Sequence, residues 1–402
     1  MTKQETAKTL LILCGMTAAS IGINGNTPGV FYTVVSTSLH IARGTFAMHA
    51  SLSMLAWALG SLIVPDLMKR ISYRLLCVVC LVGMCVSTIL MGCVSQVVWF
   101  YLLGILRGAA ASLCANVPVT ILIAQKWHKR TGTITSFVLA FSGIAGAICS
   151  PLLAQCITAY GWRNAYFLQA AIIAICLLPS VIMGISYEAE QVQKKTSQTK
   201  SHRDIHTMIS LSFILLAVFS LLHTSLTGIC QHLSGMGEAS GMTLEQGALL
   251  LTCAMAGNIL SKLIIGILSD RRDAIHACTI MILINIASLF ILTAGMKLAS
   301  FPLSAIGAFL FGSVYSVGAV GISLLTRQLF PPTAYSILYP KFAFMVSAGS
   351  AMSLPLIGYF YDFTQSYLPA LYIAIFIDAI DLASLALQNH ALKEKVIRTV
   401  QL

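Results

Sequence analysis

Acidic residues are scarce in this chain. Thirteen Asp and Glu stand among 402 residues, against twenty-four Lys and Arg. All charged types together reach 9%, where a soluble globular domain carries about 25%. That shortage excludes a water-soluble fold, because there is too little charge to cover a solvated surface. Long polar segments are equally rare. The one extended example is "SYEAEQVQKKTSQTKSHRDIH", Ser186 to His206. Several motifs of enzymes and ATP-driven pumps are missing: no glycine-rich phosphate cradle, no HExxH and no CxxC pair at an aqueous face. No enzyme is therefore expected, nor ATP-driven transport by this chain alone, nor any cofactor or resident metal. Cys77 and Cys80 form a CxxC, but they lie in an apolar run and read as small apolar residues. No disulfide framework is expected.

What the chain does have is hydrocarbon. Hydrophobic residues make up 57% and the mean hydropathy is +0.87. Apolar runs long enough to cross a bilayer (about 20 residues each) recur throughout. Twelve are predicted, near 9–36, 44–65, 73–93, 96–125, 132–157, 164–185, 207–231, 245–268, 275–296, 301–326, 334–360 and 368–389. They are too long and too uniformly apolar for barrel strands, so an all-α membrane fold follows. The first run exceeds a signal-peptide core, and no small-residue cleavage site precedes a soluble domain, so it is expected to stay.

The net charge of +11 does not point to nucleic acid, because its distribution is one-sided. With the amino terminus inside, eighteen Lys and Arg face the cytoplasm, among them Lys69, Arg70, Arg74, Lys126, Lys129, Arg130, Arg271 and Arg272. Only Arg43, Arg163 and Lys297 face outward. This positive-inside pattern places both termini in the cytoplasm. The Lys- and Gln-rich segment 186–206 then reads as a cytoplasmic linker between an N-terminal six-helix bundle, 1–185, and a C-terminal one, 207–402. The halves echo each other. Asp66, in "GSLIVPDLMKRISYR", and Asp270, in "GILSDRR", are 204 positions apart, and the same offset relates Pro151 to Pro355. Two matches at one offset argue for an internal duplication, a device that transporters use to build two pseudo-symmetric bundles around a central cavity.

These segments resemble the major facilitator superfamily. "GSLIVPDLMKRISYR" is similar to the loop signature that joins its helices 2 and 3. "GILRGAAAS", with Arg107, resembles its intramembrane arginine motif, and "GIAGAICSP", with Gly143, Gly146 and Pro151, resembles its helix-5 motif. "SKLIIGILSD" and "YSILYPKFAF" are similar to helices 8 and 11 of the monocarboxylate transporters and bacterial oxalate–formate exchangers. "TPGVFYTVVSTSLHIARGTF" and "AYGWRNAYF" fit the helix 1–2 region and an outer loop of the same branch. Where those families usually carry Arg, this chain has Lys262, and so lacks the planar fork that grips a carboxylate at two points. The resemblance implies a monomeric secondary transporter in a bacterial inner membrane.

Three cations lie inside predicted spans: Arg107, Lys262 and Lys341. A lysine at mid-span costs about 2.5–3.5 kcal/mol on insertion scales, so its retention points to function. Lys262 precedes the charged cluster at Asp270 by eight residues, or about 12 Å of helix. Its side chain covers about half that distance, which argues against snorkelling to the boundary. Asn258, Lys262 and Gly266 fall at i, i+4 and i+8, one narrow stripe expected to face the bundle interior. Lys341 follows Pro340, and an interfacial position remains open for it. The resemblance assigns Arg107 to helix packing or proton coupling, and its Gly- and Ala-rich surroundings suit packing. Asn24, Asn26, Tyr32 and Asn116 can offer hydrogen bonds to a cavity, and His49 and His223 can titrate near neutrality. Asp66, Arg70, Asp270 and Arg271, at cytoplasmic helix ends, are expected to form inter-helix ion pairs that gate the bundles. Asp378 and Asp381 share one face of the last span, with two readings open: neutralising a cation, or lying near the cytoplasmic end.

The function expected is alternating-access transport of a small organic anion, coupled to a proton or a counter-anion, with the lipid bilayer as the other partner and no nucleic acid. Lys262, Lys341, Asn258, Asn26, Tyr32, His49 and Asn116 are the candidate binding residues. An exporter of a drug or other small metabolite is the first alternative. A cation pocket would place carboxylates in the early spans of each half, and spans 1, 4, 5, 7 and 11 hold none. A transporter-like receptor is the second. Reporter fusions at Ser201 and Leu402 are expected to read inside; an outside signal from either would overturn the twelve-span topology.

Overall fold

The computed structural model describes residues 3–127, 130–185, 211–332 and 334–400. The expected linker 186–206 and Lys129 lie outside them. Every regular element among the described residues is helical, arranged as twelve passes. Pass α1 is segmented as Lys3–Thr17, Ala18–Ile23, Asn24–Asn26 and Gly29–Ser38. Next come α2 (Arg43–Arg70), α3 (Tyr73–Cys93) and α4, which is split into Val97–Ser112 and Asn116–Lys126. Helices α5 (Thr131–Tyr160) and α6 (Trp162–Ile182) are continuous. Pass α7 is split into Leu211–Ser225 and Thr227–Ala239. Helices α8 (Leu244–Arg271) and α9 (Ala274–Lys297) follow. Pass α10 runs as Phe301–Phe311, Ser313–Ser316, Val317–Gly321 and Ile322–Leu329. Helices α11 (Tyr335–Thr364) and α12 (Leu368–Val400) complete the order. Eleven passes are long and apolar enough to cross a membrane. Helix α11, at 30 residues, also has the length.

Helix α3 shows how such a sequence sorts its faces. Leu75, Val79, Val82 and Val86 lie exposed, while Cys77, Cys80, Met84 and Thr88 are buried. The outer face is the more apolar one, suited to lipid, and the smaller and mildly polar residues meet protein. Helix ends are closed locally. Thr243 and Gln246 form a reciprocal capping box at the start of α8, and Asp273 caps α9 by accepting the His276 amide at 2.8 Å. Gly161, at φ 85°, makes the tight turn between α5 and α6, a left-handed conformation that favours glycine.

The chain divides into two compact units. The first comprises Met1–His128 and Phe137–Ala189, and the second Lys129–Ser136 and Glu190–Leu402. The start of α5 thus belongs with α7 to α12. The first unit is centred on aromatic rings: Phe31 stacks on Tyr166 at 4.1 Å, and Phe100 stands edge-on to Phe46 at 5.1 Å. The second has an aliphatic core that includes Leu226, Leu233, Leu289, Leu292, Phe311 and Leu371.

Backbones approach closely inside each unit. In the first, a Cβ on Gly108 of α4 would collide with the Ser53 carbonyl of α2. In the second, a Cβ on Gly257 of α8 would collide with the Phe309 carbonyl of α10. Neither obstacle is a flexible side-chain end, so the helices themselves would have to separate. Gly108→Val is therefore expected to destabilise the detergent-solubilised protein by about 1–3 kcal/mol, the usual range for overpacking. Gly44→Ala, at a position with nothing nearby, is the control and should leave the melting temperature unchanged or slightly raised.

Candidate functional site

The polar stripe predicted on α8 is buried. Asn258 and Gly266 are enclosed, and Lys262 is 2% exposed, so its side chain neither faces lipid nor reaches the helix end. The contact between α8 and α10 supports this level of the helix. Ser261 donates its hydroxyl to the Gly312 carbonyl at 3.0 Å, and the Asn258 amide nitrogen lies against Gly312. Just beyond, α10 loosens into the π turn Val317–Gly321, a local widening often found at functional positions.

Lys341 is half-buried on α11. Two aromatic residues precede it: Tyr335 and Tyr339 stack at 5.2 Å, and Tyr335 shares a 2.8 Å hydrogen bond with Ser323 of α10. The Arg327 guanidinium sits 4.8 Å above the Tyr335 ring.

The first unit holds its own buried cation. Arg107 of α4 is 4% exposed, and its Nε and one Nη atom have no hydrogen-bond partner. Its neighbours include the buried Tyr166, whose hydroxyl is likewise unpartnered, with His49 and Cys85 among the titratable groups that feel its charge. The close helix approach expected of Arg107 belongs to the glycines beside it: Gly104 lies on the His49 carbonyl and Gly108 on that of Ser53. Helix packing therefore accounts for those glycines and leaves the guanidinium's open donors unexplained.

The other first-unit candidates are held separately. The His49 Nδ1 lies 2.6 Å from the Phe46 carbonyl, and Tyr32, half-buried, stands edge-on to the His49 ring at 6.2 Å. Asn26 donates to the Ser142 carbonyl at 3.0 Å and rests against Gly146. Asn24 is buried, and Asn116 has a carbonyl oxygen with no partner. Gly143 is buried, while Pro151 is exposed within an uninterrupted α5. Gln169 of α6, which the sequence reading passed over, is fully buried and donates to Thr27 at 2.7 Å. A lone amide in an apolar helix was the available signal.

The expected inter-helix ion pairs are corrected by the geometry. Asp66 pairs with Lys69 at 2.7 Å, one turn along the same helix, because that spacing already brings the two side chains together. Asp270 takes no basic partner among the described residues. Within the second unit it accepts the Gly132 and Thr133 amides at 3.0 and 2.8 Å, and the Thr133 hydroxyl at 2.6 Å. A carboxylate there satisfies the orphan amides that open α5 and meets the positive end of the helix dipole. Arg70 and Arg271 are exposed. Beyond the end of α8, burial works against ionisation of Asp273. The His276 amide and imidazole, with Gln328, outweigh it and hold the carboxyl below the usual range.

The two histidine readings separate. His49 is tied to backbone, whereas His223 of α7 meets both acids of α12. Its Nδ1 lies 2.9 Å from Asp381 Oδ2 and 3.8 Å from Asp378 Oδ1, and all three side chains have no exposure. Asn285 of α9 donates to Asp378 at 2.6 Å. This resolves the readings left open for the α12 pair: the acids sit beside a cationisable ring, deep in the unit.

Comparison with known proteins bears on the whole arrangement. The family model described as Major Facilitator Superfamily matches residues 12–230. No curated protein matches the chain. A solved structure titled as a Major Facilitator Superfamily transporter, FucP, in the outward conformation resembles it with a TM-score of 0.68 at 12% identity, over 94% of this chain and 97% of that one. At that identity the likeness carries the fold alone. The family match spans more than half of the chain, and the twelve helical passes agree with it. The chain belongs to the major facilitator superfamily and is a multi-pass membrane protein, a secondary transporter that works by alternating access.

Proposed function

We propose that this transporter carries a small organic anion, a mono- or dicarboxylate, as a proton symporter or an anion exchanger of the monocarboxylate or oxalate–formate type. The observation that carries the reading is a buried cation in each unit, Lys262 in the second and Arg107 in the first. A buried guanidinium with open donors is costly unless a negative group meets it, and a carboxylate substrate supplies that group while gaining a charge-assisted hydrogen bond in return; a buried ammonium offers the same charge. The open Nε and Nη donors of Arg107 favour an anion further. The carboxylates buried in the second unit, Asp378 and Asp381, are turned to His223, which leaves them poorly placed to receive a cationic drug.

Uptake into proteoliposomes from a panel of radiolabelled carboxylates, cations and sugars tests the class directly. Carboxylate uptake is expected, and saturable uptake of a cation alone would refute the reading. Lys262→Gln should weaken binding by about tenfold to a hundredfold, since a hydrogen bond to a charged group contributes roughly 1.5–3 kcal/mol. Lys262→Arg should retain substantial activity because the charge survives. A well-folded Lys262→Gln protein with unchanged affinity and rate would remove this residue from the binding site.

Asp270 serves a different step in this reading, fastening the start of α5 to the end of α8. Asp270→Asn removes the charge that the α5 amides favour and is expected to slow transport with little change in equilibrium affinity. A tenfold loss of affinity at normal turnover would place the residue in the pocket instead.

A further inference from the structure

The second unit buries two carboxylates and an imidazole that the anion reading does not use. They come from distant parts of the chain: His223 from α7, Asp378 and Asp381 from α12, with Asn285 of α9 closing the group. Their ligand atoms lie within 4.8 Å of one another and none is exposed. Such a group is expensive to keep away from water unless its charges cancel.

Hydrogen-bond direction fixes most of the protons. His223 Nε2 faces the Val314 carbonyl at 3.3 Å, and a carbonyl only accepts, so Nε2 carries hydrogen. Nδ1 faces Asp381 Oδ2 at 2.9 Å, and one proton must lie in that contact. Asp378 Oδ2 accepts from the Asn285 amide. With both acids ionised and the ring cationic, the group keeps one net negative charge. Two oxygens then remain without a hydrogen-bond partner, Oδ1 of Asp378 and Oδ1 of Asp381. One further proton makes the cluster neutral. Asp381 is held in its ionised form by direct contact with the cationic ring at 2.9 Å, whereas Asp378 lies 3.8 Å from that ring and has the neutral Asn285 at hydrogen-bond distance, on Oδ2, so Asp378 Oδ1 is the place for it.

We propose that His223, Asp378 and Asp381 form a proton-binding site in the second unit, with Asp378 Oδ1 as the atom that takes up and releases the proton. This deepens the transport reading above by selecting the proton as the ion the protein holds, and it stands apart from Lys262. The charged groups acting on Asp378 are His223 of α7 and Asp381 one turn along α12. Helix α9 contributes the neutral Asn285, and its Lys297 lies over the Tyr372 ring near the start of α12. A metal ion is the rival occupant of the group. A His–Asp–Asp trio has a donor set that zinc also accepts, so metal ions enter the test below as competitors.

The test is a pH titration of the purified full chain in liposomes, read by the infrared C=O stretch of protonated carboxyl groups, with no substrate present. Wild type is expected to show one buried carboxyl band that appears as pH falls. Asp378→Asn should abolish it, Asp378→Glu should restore a shifted band, and His223→Gln should move its midpoint. Lys262→Gln should leave it in place, so a failed anion reading and a failed proton site give different results. Thermal melting of each variant checks folding, and the Glu variant keeps the test decisive should Asn destabilise. A band that persists unchanged in a folded Asp378→Asn protein would overturn the proposal. So would the absence of any titrating carboxyl in wild type, or stoichiometric displacement of the band by sodium, magnesium or zinc, which would make a metal ion the occupant.

Discussion

Helices in hydrocarbon gain nothing by hiding apolar side chains from one another, because lipid solvates those side chains equally well. What holds the units of this protein together is contact between backbones, made possible where a side chain is absent. Gly108 against Ser53 and Gly257 against Phe309 bring helix axes closer than any larger residue permits, and dispersion over the whole length of each crossing follows from that approach. The backbone polar groups are already satisfied within each helix, so such proximity leaves no unpaired amide. The remaining structure inherits this geometry: Asn258 and Lys262 are enclosed because α8 lies so near α10.

The same rule governs polar side chains. Many of those within the passes return to their own helix or meet a defined partner. Thr17, Thr27, Thr88 and Ser220 donate to carbonyls one turn back, which satisfies the hydroxyl and permits slight bending. Among the buried atoms without a hydrogen-bond partner, the donors of Arg107 and the oxygens of Asp378 and Asp381 belong to ionisable side chains, where leaving them open costs most.

Much of the fold was legible in the sequence because span length and apolarity are local properties. The run expected at 73–93 is helix α3 to the residue, and most others end within a few residues of their predicted limits, although α7 and α12 run on to Ala239 and Val400. Burial of the stripe 258, 262 and 266 was legible too, since helical periodicity alone selects that face. Interruptions of α1, α4, α7 and α10 were not, because a π turn or a kink leaves hydropathy unchanged. Pairing of His223 with Asp381 escaped as well. The two residues are 158 positions apart, and nothing local to α7 or α12 names the other. Charge signs misled at the helix ends: Asp270 looked like half of an ion pair, whereas the positive partner is the start of α5, which carries no formal charge.

The π turns of α1 and α10 have one further consequence. Ala18–Ile23 and Val317–Gly321 each pack a surplus residue into a helical turn without breaking the chain of backbone hydrogen bonds. Sliding that surplus along by one position swings the intervening side chain through roughly 100° about the helix axis, while the ends of the helix stay put. Both segments are built of small residues, Ala, Ser, Gly and Val with one Ile pair, so little bulk opposes the slide. These passes therefore possess a rotary adjustment in their middle third, a means of re-aiming single residues that needs neither a hinge nor the movement of a whole bundle.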